Sequence, residues 1–154
     1  MALALPEPNR AGRLDAAVQV LREGLVVGTQ DIQGHGFAIT RQISTGSWLG
    51  RKFQRQGIGT AMRAAVLEFA FRGLGATVAG TGAFVDNPAS LRITRKLGYT
   101  ENGTKLHAVA GEPRLEQRFL LSKEDWRCPI EVRIDGLESC RELLGAATTG
   151  MRID

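Results

Sequence analysis

Gln54-Arg55-Gln56-Gly57-Ile58-Gly59-Thr60 lies between a segment of alternating polarity and one whose apolar residues recur three and four apart. That change of period predicts a strand turning into a helix at this point. The helix places Ile58, Met62, Ala65, Val66 and Phe69 on one face and runs to about Arg72, before Gly73 and Gly75. Backbone N–H groups at its start point out of a helix N-terminus, a natural anion site. Gly57 and Gly59 allow an oxyanion to come close, Gln54, Arg55 and Gln56 offer side-chain donors, and Thr60 adds a hydroxyl. A plain strand-to-helix turn uses glycines as well, so this loop alone leaves phosphate binding and a simple turn both open. The dinucleotide fingerprint fits poorly. Met62 stands where its third small residue belongs, and Gly80-Thr81-Gly82 occupies the stretch where an acidic residue would meet the ribose.

Upstream, alternation through Leu14, Ala16, Val18 and Val20, then Leu25 and Val27, predicts two strands joined at Arg22-Glu23-Gly24. The run Ala16 to Glu23 also suits a helix, so the first strand stays open to that reading. A third strand is expected from about Ile39 to Leu49, after the Gln33-Gly34-His35-Gly36 loop. The 58–72 helix has a second apolar row, Ala61, Ala64, Leu67 and Phe71, leaving Arg63, Glu68 and Arg72 as a polar stripe. Such a helix is sandwiched or offers a surface to a second copy of the chain.

Downstream, Thr77 to Val85 reads as a buried strand holding Gly80 and Gly82, a sign of close approach by a backbone or ligand. Asn87 and Pro88 open a second helix as N-cap and first helical residue, with Leu91, Thr94 and Leu97 on one face and Gly98 at its end. Tyr99 to Val109 and Leu115 to Leu121, joined at Gly111-Glu112-Pro113, read as a closing antiparallel pair, with Tyr99 packed inside. The order β-β-β-α-β-α-β-β describes a mixed sheet with helices against it, an α/β domain of the mixed α+β kind. Residues 1–13 read as a mobile arm, 14–126 as the domain, and 127–154 as an appendage with a short helix near Leu137 to Leu144.

The 154 residues are 43% hydrophobic and 23% charged, the composition of one folded domain. A net charge of +4, with acids among the bases, favours a small anionic ligand over a nucleic-acid surface. Arg127, Arg133, Arg141 and Arg152 alternate with acids and lack interleaved exposed aromatics, as a solvated tail would. Glu68 and Arg72 interrupt the longest apolar runs, so no membrane span is expected, and MALALPEPNR lacks the pattern of a secretory leader. A cytoplasmic protein is the expectation. Cys128 and Cys140 form no zinc-like spacing with His35 or His107, which predicts free thiols and no metal site.

The segment Gln54-x-x-Gly57-x-Gly59 resembles the (Q/R)xxGx(G/A) motif of the GNAT superfamily of acyl-CoA-dependent N-acetyltransferases. Ser44-Thr-Gly-Ser-Trp-Leu-Gly50 and Asp86-Asn-Pro-Ala-Ser90-Leu-Arg-Ile-Thr-Arg-Lys-Leu-Gly-Tyr99 look like its ribosomal-protein-acetyltransferase-like branch. The similarity covers Leu14 to Trp126. It implies the acyl-CoA N-acyltransferase fold and, as substrates, acetyl-CoA and a primary amine, borne by a small molecule or a protein N-terminus. It also implies the coenzyme A pyrophosphate on the amides of Arg55, Gln56, Gly57, Ile58, Gly59 and Thr60, with Gln54 beside them. The pantetheine arm then lies along the backbone of Trp48, Leu49 and Gly50, where two strands splay apart. Asn87 and Ser90 match positions at the thioester end; a helix cap and a first-turn polar residue are their bland alternatives.

The implied reaction is direct attack of a neutral amine on the thioester through a tetrahedral intermediate, with backbone donors holding the oxyanion. Many members carry a tyrosine where this chain has Thr94, which makes Ser90 the candidate acid for the thiolate. Gln42 to Leu49 holds no carboxylate to act as base, and Asp31, His35 and Glu101 are remote substitutes. An α-amine, with an ordinary pKa of about 7.7 to 8, tolerates that lack better than a lysine at about 10.4. Typical members also begin with a strand and two helices ahead of the strand here placed at Leu14, and residues 1–13 are too few to replace them. A second subunit of a homodimer, a large acceptor, or coenzyme binding without catalysis would each answer this. An N-acetyltransferase, an acyl-CoA-binding regulatory domain of weak activity, and another kind of nucleotide binder are the three functions in play.

Overall fold

The computed structural model describes residues 2–4, 13–142 and 144. Seven strands form one mixed sheet: β1 (Ala2–Ala4), β2 (Leu14–Arg22), β3 (Leu25–Gly34), β4 (Gln42–Leu49), β5 (Val78–Phe84), β6 (Thr100–Val109) and β7 (Glu112–Ser122). Their order across the sheet is β1-β2-β3-β4-β5-β7-β6, and every neighbouring pair is antiparallel except β4 with β5. Helices α1 (Phe37–Thr40), α2 (Ile58–Glu68), α3 (Pro88–Lys96) and α4 (Leu137–Cys140) complete the described elements. The segment Leu14–Arg22 is a strand, and the mixed α/β sheet with interleaved helices agrees with the expected class.

Several boundaries differ from the sequence reading for local reasons. Ala2–Ala4 pairs with Ala17–Gln19 of β2, so part of the expected arm adds an edge strand. Strand β4 starts at Gln42 rather than near Ile39, because Phe37–Thr40 makes one helical turn between Gly36 (φ +56) and Arg41 (φ +51). α2 continues through a π turn, Phe69–Gly73, in which the Leu74 N–H reaches Phe69 O. Helix α4 is a single turn, and the end of the helix expected to reach Leu144 lies partly outside the described residues.

The crossovers β4-α2-β5 and β5-α3-β6 step across the sheet in the same direction. Right-handed connections therefore put α2 and α3 on the same face. Between that face and α2 lies the core, with Leu14, Ile32, Ile43, Phe119 and Leu121 from the sheet and Ala64, Leu67 and Phe71 from the helix. The second apolar row of α2 is thus sandwiched within one chain. Its outer side is covered by the segment after β7, whose Trp126 packs 6.1 Å from Phe71 and donates Nε1–H to Glu68 at 2.8 Å. Of the polar stripe expected along α2, Arg63 is buried, and the partly buried Glu68 also pairs with the exposed Arg72 at 2.8 Å. On the opposite face of the sheet, Asp31, Ser44, Gly46, Trp48, Gly82 and Leu120 are exposed.

Candidate functional site

The chain passes from β4 to α2 through a loop braced by its own side chains. Gln54 donates its amide to Leu49 O at 3.1 Å, Gln56 donates to Lys52 O at 3.0 Å, and Arg22 at the end of β2 donates to Gln56 Oε1 at 2.7 Å. Both glutamine amides are thereby engaged within the protein, so the donor role expected of them falls to the backbone. Arg55 (φ +60) and Gly57 (φ +80) are left-handed and Gln56 between them is not, an alternation that makes consecutive N–H groups converge. At the start of α2 the first intrahelical bond runs from Ala61 N–H to Gly57 O at 3.1 Å, and among the described residues no side chain caps the helix. The N–H groups of Ile58, Gly59 and Thr60 therefore point outward at the positive end of the helix dipole.

A cleft of about 540 Å³ opens over these donors, between the N-terminal ends of α2 and α3. Arg55, Arg63 and Arg92 line it and, among the described residues, no carboxylate does. Its floor is a fork in the sheet. Strands β4 and β5 pair from Gln42–Val78 to Thr45–Thr81 and then separate, while Gly46 to Leu49 remain paired to β3. The Gly50 N–H bonds Val27 O at 2.9 Å on the β3 side. Strand alternation then turns the peptide groups of Trp48 toward β3 and those of Ser47 and Leu49 toward the fork. Of Trp48, Leu49 and Gly50, only Leu49 presents N–H and C=O to the cleft, and its C=O holds Gln54. Ser47, missed in the sequence, shares that edge; the two-residue period of β4 was the signal. The Trp48 side chain projects from the other face and is 62% exposed.

The far wall belongs to α3. Asn87 caps it, accepting Ser90 N–H on Oδ1 at 3.2 Å, with Pro88 at the first helical position. Ser90 lies in the first turn, where its side chain joins Asn87 in lining the cleft. Thr94 is engaged: it accepts from Arg63 Nη2 at 2.8 Å and donates to Ser90 O at 2.9 Å. Arg63, read in the sequence as part of the polar stripe of α2, ties α2 to α3 beneath the cleft; burial lowers its pKa, opposed by Tyr99. A lone arginine between two apolar rows was the available signal. Tyr99 is buried, and burial raises its phenol, opposed by the Thr45 hydroxyl and by Arg63. Asp31, His35 and Glu101 are exposed and do not line the cleft.

Residues 4–100 match the family model described as the acetyltransferase (GNAT) domain. A solved structure described as a probable acetyltransferase is 24% identical and superposes with a TM-score of 0.66, covering 75% of this chain and 64% of that one. The ribosomal-protein-S5-alanine acetyltransferase of Vibrio fischeri gives 0.68 at 16% identity, covering 74% of this chain and 64% of that one. Spermidine N-acetyltransferase of Vibrio cholerae, in a dodecameric structure, gives 0.66 at 15% identity over 72% and 66% of the two chains. These likenesses show the fold. The chain spans about two thirds of the length of each of these structures.

Proposed function

This chain belongs to the GNAT acetyltransferase domain family, and from that premise we propose that it transfers an acetyl group from acetyl-CoA to a primary amine. One observation carries the reading: outward N–H groups at the start of α2, in a cleft lined by arginines, adjoin a strand edge that has lost its neighbour. Each part suits one part of acetyl-CoA. The pyrophosphate sits on the amides of residues 55–60, and the amide-bearing pantetheine arm adds to the free edge of β4 at Ser47 and Leu49. The thioester then lies toward the Thr45–Thr81 end of the fork, with Asn87 and Ser90 on the α3 wall.

In this arrangement the amine nitrogen attacks the thioester carbon, and a β4 N–H holds the oxyanion. As the C–S bond breaks, Ser90 Oγ–H supplies a proton to sulfur and recovers one, through water, from the nitrogen that has become the amide. A thiol with an ordinary pKa of about 8.5 needs only modest help, so a hydroxyl suffices. Thr94 is unsuited to this role because its hydroxyl already serves Arg63 and Ser90 O. The acceptor we favour carries an α-amine or another amine of low pKa, on a small molecule or a protein N-terminus. The three matching blocks also favour the ribosomal-protein-acetyltransferase-like branch, and a cytoplasmic setting supplies acetyl-CoA. A homodimer loses its argument from α2, whose second apolar row is covered; the exposed sheet face is the surface left for a second copy or a large acceptor.

Thermal unfolding with acetyl-CoA, coenzyme A, NAD and ATP at equal excess tests the reading. Acetyl-CoA and coenzyme A at 100 times their dissociation constants should stabilise the protein by about 2.7 kcal/mol, a rise of a few degrees, with no such rise from NAD or ATP. Equal stabilisation by all four, or by none, would overturn it. Ser90→Ala should then lower kcat about tenfold or more without changing the acetyl-CoA shift.

A further inference from the structure

The exposed face of the sheet holds a second depression, of about 280 Å³, over Ser44, Thr45, Gly80 and Gly82. It lies at the point where β4 and β5 part, since Thr45–Thr81 is their last pair. The Glu116 carboxylate overlies Gly82 so closely that a Cβ at that position would overlap Oε1. Register explains the placement: Glu116 of β7 is opposite Phe84, and Arg118 is opposite Gly82, so all four residues share a face. The glycine leaves the space into which the carboxylate folds.

The carboxylate is held from one side. Glu116 Oε2 lies 2.9 Å from His107 Nε2, and His107 meets the Phe84 ring edge-on with centroids 5.8 Å apart. Arg114 stacks over the other side of this unit, its guanidinium 3.9 Å from the Phe84 centroid and its Nη2 bonded to Asp86 at 2.6 Å. Among the described residues Glu116 Oε1 has no hydrogen-bond partner, and the side chain stays 24% exposed. Lys105, opposite Glu116 in register, and Arg118 are the other charged residues bordering the depression.

We propose that Glu116, positioned by His107, accepts the proton of an acceptor amine that approaches the acyl group from this exposed face. The proposal rests on the acetyl-transfer reading above, and it supplies the carboxylate that β4 lacks. A proton passes from the acceptor's ammonium to Glu116 Oε1, directly or through one water. The freed lone pair forms the C–N bond, the nitrogen gives its second proton to water, and as the C–S bond breaks sulfur takes a proton from Ser90 Oγ–H, which water restores. The amine and the coenzyme thus enter from opposite faces of the sheet and meet at the fork.

The test is steady-state acetylation of an alanine-headed peptide amide and of spermidine by the parent protein and by Glu116→Gln. The variant should keep the thermal shift with acetyl-CoA and a KM for acetyl-CoA within twofold. Its kcat at pH 7 should fall about 10²-fold or more, and the loss should shrink as pH rises toward the amine's own pKa, where the acceptor arrives already neutral. Gly82→Ala should displace the carboxylate and lower kcat in the parent, yet change little when combined with Glu116→Gln. A kcat for Glu116→Gln within threefold of the parent, or equal losses from Gly82→Ala in both backgrounds, would overturn the proposal. So would a parent protein that binds acetyl-CoA but acetylates neither amine. A parent that binds no acetyl-CoA defeats the acetyl-transfer reading itself.

Discussion

Gln30 is fully buried in β3, and among the described residues neither its amide nitrogen nor its amide oxygen has a hydrogen-bond partner. An unpaired buried amide costs about 1–3 kcal/mol, whereas an apolar side chain of similar length has no such penalty. Gln30→Met should therefore raise the urea-unfolding free energy by about 1–2 kcal/mol; a loss instead would mean that the amide is satisfied. Tyr99 makes a different claim, in pH. Burial raises its phenol above the ordinary value, opposed by Thr45 and Arg63. The folded state thus holds the proton more tightly than the unfolded state. The corresponding stability is fully present below a pH of about 10, where an unfolded tyrosine ionises, and is lost as pH rises from there through the higher folded value. Unfolding free energies measured from pH 8 to 11.5 should fall more steeply for the parent than for Tyr99→Phe. Parallel curves would show that Tyr99 does not titrate with unfolding.

Among the elements, α2 joins strain and binding at one residue. Gly57 holds φ +80 immediately before the first helical residue, with none of the described residues within 4 Å of where a Cβ would lie. Gly57→Ala therefore meets backbone strain without a clash, at a cost of about 1–2 kcal/mol. Because it also disturbs the amides proposed for the pyrophosphate, acetyl-CoA affinity should fall at least tenfold by calorimetry. Gly75→Ala is the control, since φ is +75 there and the surroundings are equally open, away from the cleft. It should match the stability loss and leave affinity unchanged; equal affinity losses would deny the loop a binding role. This loop, the helix after it and the Asn87-Pro88 start of α3 could be read in the sequence because their signals are local: a change of period, a cap, a terminal glycine. The turn at Phe37–Thr40 could not, because an apolar Phe-Ala-Ile run gives no period over four residues. Arg63 beneath the cleft and Glu116 over Gly82 depend on which helix faces which and on the register of β7 against β5. A single sequence does not carry those relations.

At the level of the whole molecule, the two ends of α2 face different tasks. Its N-terminus opens into the cleft, while its far end and the π turn are covered by residues after β7. There Arg72 donates to Val132 O at 2.5 Å, Arg141 Nη1 donates to Gly73 O at 3.1 Å, and Leu144 is buried in the core beside the partly buried Ile134 and Leu137. The appendage inferred from the sequence thus packs Ile134 and Leu137 against the end of α2 at Gly73. The sixteen residues from Ile58 to Gly73 separate the two ends by about 24 Å, at 1.5 Å per residue, so stability and coenzyme binding should respond separately. Removing residues 131–154 uncovers the C-terminal end of α2 around Gly73. Burying three aliphatic side chains contributes several kcal/mol, part of it offset by the entropy of ordering the segment, which leaves a loss on the order of 3 kcal/mol. The shortened protein should unfold at a markedly lower temperature while keeping the same increment of stabilisation by acetyl-CoA. An unchanged unfolding temperature would make the segment a passenger. A vanished acetyl-CoA increment in a protein that remains folded would mean that the covered end of α2 governs the geometry of the open one.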